Sequence, residues 1–220
     1  MLKTMETFDT EFSADSVEWC PAKGFEDLMA CGTYQLTAQN DIRYSNPDSK
    51  NKRIGRIYLL RSNVKEVHLG LKLLQKLDVA AVLDMRWAHI KNLDKTFLAV
   101  ANAEGFLQIY ELDKYSETIS LRLISESLVG DPQNKNMALS LDWSIGTGEF
   151  DNSSNIKLTV SDSGGDISLF QLEEGAYELK KITSWHAHNF EAWIATFDYW
   201  NTNIIYTGKN HIFNTIIFIS

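Results

Sequence analysis

A chain of 220 residues with 44% hydrophobic and 11% aromatic side chains has the apolar surface for a sizeable core, which excludes a disordered polypeptide. Its net charge of −8 argues against non-specific nucleic-acid binding, which rests on cations meeting phosphates, and suits a cationic or neutral ligand. Cys20 and Cys31 stand in neither a CxxC nor a Cys/His ligand spacing, so they read as reduced, buried thiols and not as a zinc site.

The N-terminal stretch "MLKTMETFDTEF" places acids where a secretory signal carries its apolar stretch. No run approaches the ~18–20 apolar residues that cross a bilayer. The expectation is a soluble, cytoplasmic protein without a membrane partner.

Beyond this start, four segments share one grammar. A short alternating strand ends on an aromatic: Trp19 in "DSVEW", Trp87 in "VLDMRW", Trp143 in "LSLDW" and Phe197 in "AWIATF". A polar loop follows, then a strand of small and apolar residues: "LMACG", "FLAVA", "KLTVS" and "IIYTG". In the first three segments a Gly-led strand closes the unit: "GRIYLL", "GFLQIYEL" and "GDISLFQL". Here Leu107 and Ile109 alternate with Gln108 and Tyr110, and Ile167 and Leu169 with Ser168 and Phe170, the period of a strand. "EVHLGLKLLQKLDVAAVLDM" resembles a helix, but its second half repeats the opening strand of the second unit, so it reads as one strand or two.

The aromatics recur more widely than the ~40–45 residues of a WD-type repeat. The units therefore carry insertions, and "TAQNDIRYSNPDSKNKR", "SIGTGEFDNSSN" and "LVGDPQNKN" read as surface loops. Short strands, turn signals and one aromatic per unit predict an all-β fold, a WD40-type β-propeller that is incomplete here, with about four of seven blades. The units fall at approximately 13–63, 79–113, 137–173 and 185–208, within a propeller region of 10–208. Trp19, Trp87, Trp143 and Phe197 are expected to be core residues that pin blade on blade. Trp193, Tyr199 and Trp200 fall outside that repeated position.

"TEFSADSVEWCP", "LMACGTYQL", "LSLDWS", "SDSGGDISL" and above all "SWHAHNFEAWIATFDYW" resemble the diphthine methyltransferase family, WD-repeat proteins of diphthamide biosynthesis, from about Thr10 to Gly208. The resemblance implies an esterase. It would hydrolyse the methyl ester of diphthine methyl ester, a modified histidine on translation elongation factor 2, giving diphthine and methanol, with no cofactor. Family members usually run to about twice this length and complete seven blades. The family's usual "GGDDG" turn after "YTG" is absent; "KNHIFNTIIFIS" stands there instead, and residues 209–220 read as a divergent, truncated tail from intron read-through or an incomplete gene model.

Ester hydrolysis needs a nucleophile, a base and oxyanion donors. No GxSxG elbow is present, and Ser161 and Ser163 in "SDSGGD" are explained by turn chemistry. Glu191 and His188 are the candidate catalytic pair. His188 also sits where WD-repeat proteins bury a His inside the blade, and with the "GGDDG" turn goes its usual Asp partner. His186 and His188 would share a strand face, but two ligands without a third make no metal site. The trimethylammonium of the implied substrate suits aromatic faces and carboxylates. Trp193 or Trp200, with Glu191 or Asp162, is therefore the candidate substrate mouth. The alternative is a non-catalytic WD-repeat scaffold for protein partners, since a fold does not fix a function. An open arc of four units leaves apolar blade faces bare, and predicts that this chain by itself is unstable or inactive.

Overall fold

A computed structural model describes residues 6–37, 52–62, 70–89, 95–115, 118–145, 156–209 and 212–218, the last of these as backbone. Most of the predicted 37–53 and 144–155 loops lie outside the described residues. Among those described there is no helix, so none long and apolar enough to cross a membrane.

The strands form four antiparallel sheets in chain order. The first is β1 (Ser13–Trp19), β2 (Leu28–Leu36), β3 (Arg53–Ser62) and β4 (Leu71–Ala80). The second is β5 (Val82–Trp87), β6 (Thr96–Asn102), β7 (Phe106–Tyr115) and β8 (Thr118–Leu128). The third is β9 (Ala138–Trp143), β10 (Lys157–Asp162), β11 (Asp166–Leu172) and β12 (Leu179–His186). The fourth has three strands among the described residues: β13 (Ile194–Phe197), β14 (Ile204–Lys209) and β15 (Ile212–Phe218). β1, β5, β9 and β13 lie side by side, so the sheets are consecutive blades of an arc with these strands at its axis.

The ambiguous stretch before Trp87 is two strands, β4 and β5, broken at Ala81. Each of the first three blades also has an outer strand that the repeat grammar omits, because β4, β8 and β12 are half solvated and lack a clean apolar period. "SWH" thus closes the third blade and does not open the fourth. Residues 212–218, within the expected tail, pair with β14.

The clean alternation of β7 and β11 marks two buried faces, not one. Tyr110, Ser168 and Phe170 are as buried as Leu107, Ile109, Ile167 and Leu169, because each middle blade is covered on both sides. Leu98, Val100 and Tyr110 pack against Leu28, Ala30, Ile57 and Leu59 of the first blade. Ala99, Ala101, Leu107 and Ile109, on the other face, pack against Leu141, Trp143, Leu158 and Val160 of the third.

The repeated aromatics account for these junctions. Trp87, Trp143 and Phe197 are 1%, 3% and 6% exposed. The Trp87 indole N–H donates to the Glu18 carbonyl at 3.1 Å, and that of Trp143 to the Arg86 carbonyl at 3.0 Å. Each acceptor is the residue before the preceding blade's own aromatic. Trp19 departs from the expected core position, at 51% exposed. Its equivalents bury themselves against the blade before, and no blade precedes β1 among the described residues. At the outer rim, the Gln75 carboxamide of β4 donates to the Leu121 carbonyl of β8 at 3.1 Å and accepts the Leu121 amide at 2.6 Å.

Candidate functional site at the propeller axis

The inner strands all start at one end of the arc, and the β10–β11 turn and the 187–193 segment lie at that same end. Between the strands there opens a cavity of about 580 Å³. Its wall includes Asp15 of β1, Asp84 and Arg86 of β5, Ser140 and Asp142 of β9, and Trp193 just before β13.

The acids are held by blade junctions. Asp84 Oδ2 accepts the Leu141 amide at 3.0 Å, and its Oδ1 lies 3.8 Å from Arg86 Nε. Ser140 Oγ occupies the equivalent place one blade on, accepting the Ala195 amide at 2.9 Å and the Ser161 hydroxyl at 3.1 Å. Asp142 Oδ2 accepts the Phe197 amide at 2.9 Å and the Thr196 hydroxyl at 2.7 Å. Arg86 Nη1 stands 3.6 Å from Glu18. Burial pushes the Asp84 carboxyl up to about 6, against the pull of the Leu141 amide and Arg86. Burial also raises Asp15 and Glu18, the latter opposed by Arg86. The cavity thus combines carboxylates, one of them with unusual proton affinity, a guanidinium and a half-exposed indole. Such a set can accept a quaternary ammonium on the indole face and take a proton from water.

Of the residues singled out in the sequence, Trp193 lines this cavity. Glu191 is exposed at the same end of the arc, with no side-chain partner among the described residues. Trp200 sits past the far end of β13, in a turn where its amide and that of Asn201 are held by Asp198, and stacks edge-on with Tyr199. Trp193 and Trp200 are therefore at opposite ends of one strand and cannot share a mouth.

The Asp162 carboxylate is taken up by the protein's own donors. It is 1% exposed, its Oδ1 accepts the Gly164 and Asp166 amides at 2.8 and 2.9 Å, and its Oδ2 accepts from Asn136. Asn102 does the same in the second blade, taking the Glu104 and Phe106 amides, both at 3.0 Å. The shared role is to clamp a tight turn. Ser163 Oγ accepts the Met137 amide at 2.9 Å, and Ser161 is fully buried.

His188 has a partner after all. Its Nε2 and Thr207 Oγ1 share a hydrogen bond at 2.9 Å inside the fourth blade. Burial, with Lys209 and His186 adding to it, keeps the ring below its ordinary pKa and neutral. His186 turns elsewhere, to Asp166 Oδ1 at 2.7 Å. The two His rings do not converge, and the described residues contain no group of three metal-ligating side chains.

The sequence motifs do not single out Asp15, Asp84, Arg86 or Asp142. The available signal is an acid inside each of the first three inner strands, "ADSVEW", "LDMRW" and "LSLDW", where a strand between two blades has no reason to carry charge.

Four blades around an open axis define a partial WD-repeat β-propeller, and solved structures agree. Sqt1 of Chaetomium thermophilum, bound to the N-terminus of ribosomal protein L10, superposes with a TM-score of 0.64 at 12% identity, over 92% of this chain and 45% of that one. The β-propeller domain of Myceliophteria thermophila Cps50 (Swd1) gives 0.57 at 11%, over 90% and 48%. The computationally designed Ika4 protein gives 0.57 at 11% and is matched over 100% of both chains. No family model matches the chain. By sequence, the chain is similar to diphthine methyltransferases, as its motifs indicate. It is 41% identical to the diphthine methyltransferase of Mus musculus over 94% of this chain and 43% of that protein. It is 38% identical to that of Homo sapiens over 93% and 46%, and 29% identical to the homolog of Dictyostelium discoideum over 90% and 52%. The chain spans about half the length of these curated relatives.

Proposed function

We propose that this chain serves in diphthamide biosynthesis as the part of a methyl-ester hydrolase that holds the substrate mouth. The supporting observation is the identity of 38–41% to diphthine methyltransferases over more than nine-tenths of the chain. In this reading the modified histidine of elongation factor 2 enters the axial cavity, in the cytoplasm. Its trimethylammonium lies on the Trp193 face with Asp142 close by. Asp84 takes a proton from a water that attacks the ester carbonyl carbon. The acyl–oxygen bond breaks, the methoxide takes that proton from Asp84 and leaves as methanol, and the new carboxylic acid gives its remaining proton to solvent, leaving the diphthine carboxylate. Arg86 supplies positive charge for the oxyanion. Glu191, at the same end of the arc, is the second candidate base.

Methanol release from elongation factor 2 bearing diphthine methyl ester tests this, with the mouse relative assayed alongside. Against the expectation for a bare open arc, this chain is expected to release methanol, since the cavity lining lies within it, and Asp84→Asn is expected to lower kcat and Trp193→Ala to raise KM. No release from this chain while the mouse protein is active refutes the catalytic reading. It favours instead a scaffold that binds its partner without chemistry, for which the exposed Phe190, Trp193 and Ile194 offer a contact surface.

A further inference from the structure

A second cavity, of about 900 Å³, opens at the same end of the arc as the axial one. Arg53, at the start of β3, lines both and forms the ridge between them. Its Nε donates to the Tyr34 hydroxyl at 2.9 Å, which holds the guanidinium there. From Arg53 the second cavity runs outward past Val79 near the end of β4 and Glu104 in the β6–β7 turn, to the 128–136 segment that leads into β9.

Its charge runs against that of the chain. Lys52, Arg53, Arg56 and Lys135 line it with Asp78, Glu104 and Asp131, four cations to three acids, where the whole chain carries 21 to 29. Arg56 is spent within the blade: its Nε donates to Asp78 at 2.8 Å and its Nη1 to Glu11 at 2.9 Å. Asp131 Oδ1 accepts the Gln133 amide of its own turn at 2.8 Å. Lys52, Arg53 and Lys135 have no carboxylate partner among the described residues. The backbone fixes both lysines. The Lys52 amide donates to the Thr37 hydroxyl at 3.0 Å, and its carbonyl accepts the Thr37 amide at 2.9 Å. Lys135 has φ 49°, which glycine or asparagine adopts at lower cost, between the 131–134 turn and Asn136, which donates to Asp162. Three unpaired cations on one open wall attract an anionic partner that the rest of an acidic surface repels.

In the reading given above, a side chain carried by a protein enters the axial cavity. The polypeptide on either side of that residue must lie across this end of the arc, and the second cavity is an open trough beside the entrance. We propose that this trough docks an acidic segment of the protein substrate adjoining the modified histidine. Arg53 meets the carboxylate nearest the modified residue, and Lys52 and Lys135 meet those further along. The identity of the partner rests on the hydrolase reading; the acidic chemistry rests on the trough itself.

Two measurements on the 1–220 chain test this. The first follows a fluorescein-labelled hexaglutamate peptide by anisotropy and needs no reaction. The peptide is expected to bind, and Lys52→Glu/Lys135→Glu, which leaves Arg53 and the axial cavity untouched, to weaken it about tenfold. Raising NaCl to about 0.3 M weakens the wild type likewise, and Lys114→Glu, the same charge change at the other end of β7, stays within about twofold. The second is methanol release from elongation factor 2 bearing diphthine methyl ester, where the double variant is expected to raise KM about tenfold and hold kcat within about twofold. A wild type that does not bind the peptide overturns the proposal. So does a double variant that binds it like wild type, or that lowers kcat at unchanged KM. A thymidine hexanucleotide that displaces the peptide at equal concentration overturns the choice of a protein segment in favour of a nucleic-acid strand. Peptide binding without methanol release sinks the hydrolase reading and leaves the acidic-segment site standing. Should the double variant not fold, Lys135→Asn, which suits the left-handed backbone, decides by an expected loss of about threefold.

Discussion

Asp84 is held in a junction that favours its protonated form, and Asp84→Asn should therefore stabilise the protein near neutral pH. The carboxyl goes from an ordinary 3.8 in the unfolded chain to about 6 in the folded one. The folded state binds this proton more tightly, so stability is greatest below the lower value and is lost as pH rises from 3.8 towards 6. A tenfold difference in proton affinity between the two states is worth about 1.4 kcal/mol, so the ionised carboxylate costs about 3 kcal/mol at pH 7.5. At pH 5, where the folded group is still largely protonated, the cost is about 1.5 kcal/mol. Asn is uncharged at either pH and its carbonyl can still accept the Leu141 amide. The variant should melt several degrees above wild type at pH 7.5, at about 2–4 °C per kcal/mol for a chain of this size, and by about half that margin at pH 5. Thermal unfolding followed by circular dichroism measures both. A lower Tm for Asp84→Asn at pH 7.5 would show that the Leu141 amide and Arg86 more than offset the desolvation, and would refute the reasoning.

Three further outcomes follow from the junctions and turns. Trp87→Phe and Trp143→Phe each lose a hydrogen bond across a junction and leave a small void, and urea titration should register about 1–3 kcal/mol for each, whereas Trp19→Phe should fall within about 0.5 kcal/mol of wild type. Thr207→Val removes the partner of buried His188 while keeping the shape, and should cost about 1–3 kcal/mol by the same measurement. Gly165 has φ +89° and a Cβ there would come within 1.9 Å of the His188 carbonyl oxygen, so Gly165→Ala should prevent soluble expression, whereas Gly175→Ala, at φ +85° with open space around it, should cost about 1 kcal/mol.

The inner strands and the Gly-led strands are legible in the sequence because their residues are buried on a fixed period and bounded by turn residues. The outer strands are not. β12, "LKKITSWH", is exposed at most positions, so solvent imposes no apolar period on it, and the repeat grammar puts Trp185 and His186 in the wrong blade. The aromatic grammar does identify the junction residue of every blade, yet it cannot separate Trp19 from Trp87, because the difference lies in the neighbour and not in the residue. Around the candidate site, Trp193 stands out as an aromatic off the repeated position. Asp84 and Asp142 are hidden inside strands that otherwise read as core. Asp162 misleads in the opposite direction: next to "SGG" it resembles an exposed loop acid, while its neighbours' amides consume its oxygens. The "NAEG" turn of the second blade, where Asn102 does the same task without charge, carries the signal that Asp162 is structural.

The clamp between Gln75 and Leu121 reaches beyond the pair itself. β8 is the rim strand of its sheet, and Leu121 points its free backbone donor and acceptor outward, the kind of edge at which a stray chain adds to form aggregates. A single primary amide fills both positions at once, as a neighbouring peptide group would. The rim is thus insulated from fibril growth at this point by one side chain borrowed from the adjacent sheet, and Gln75 is a residue whose replacement would show first in shelf life and only later in melting temperature.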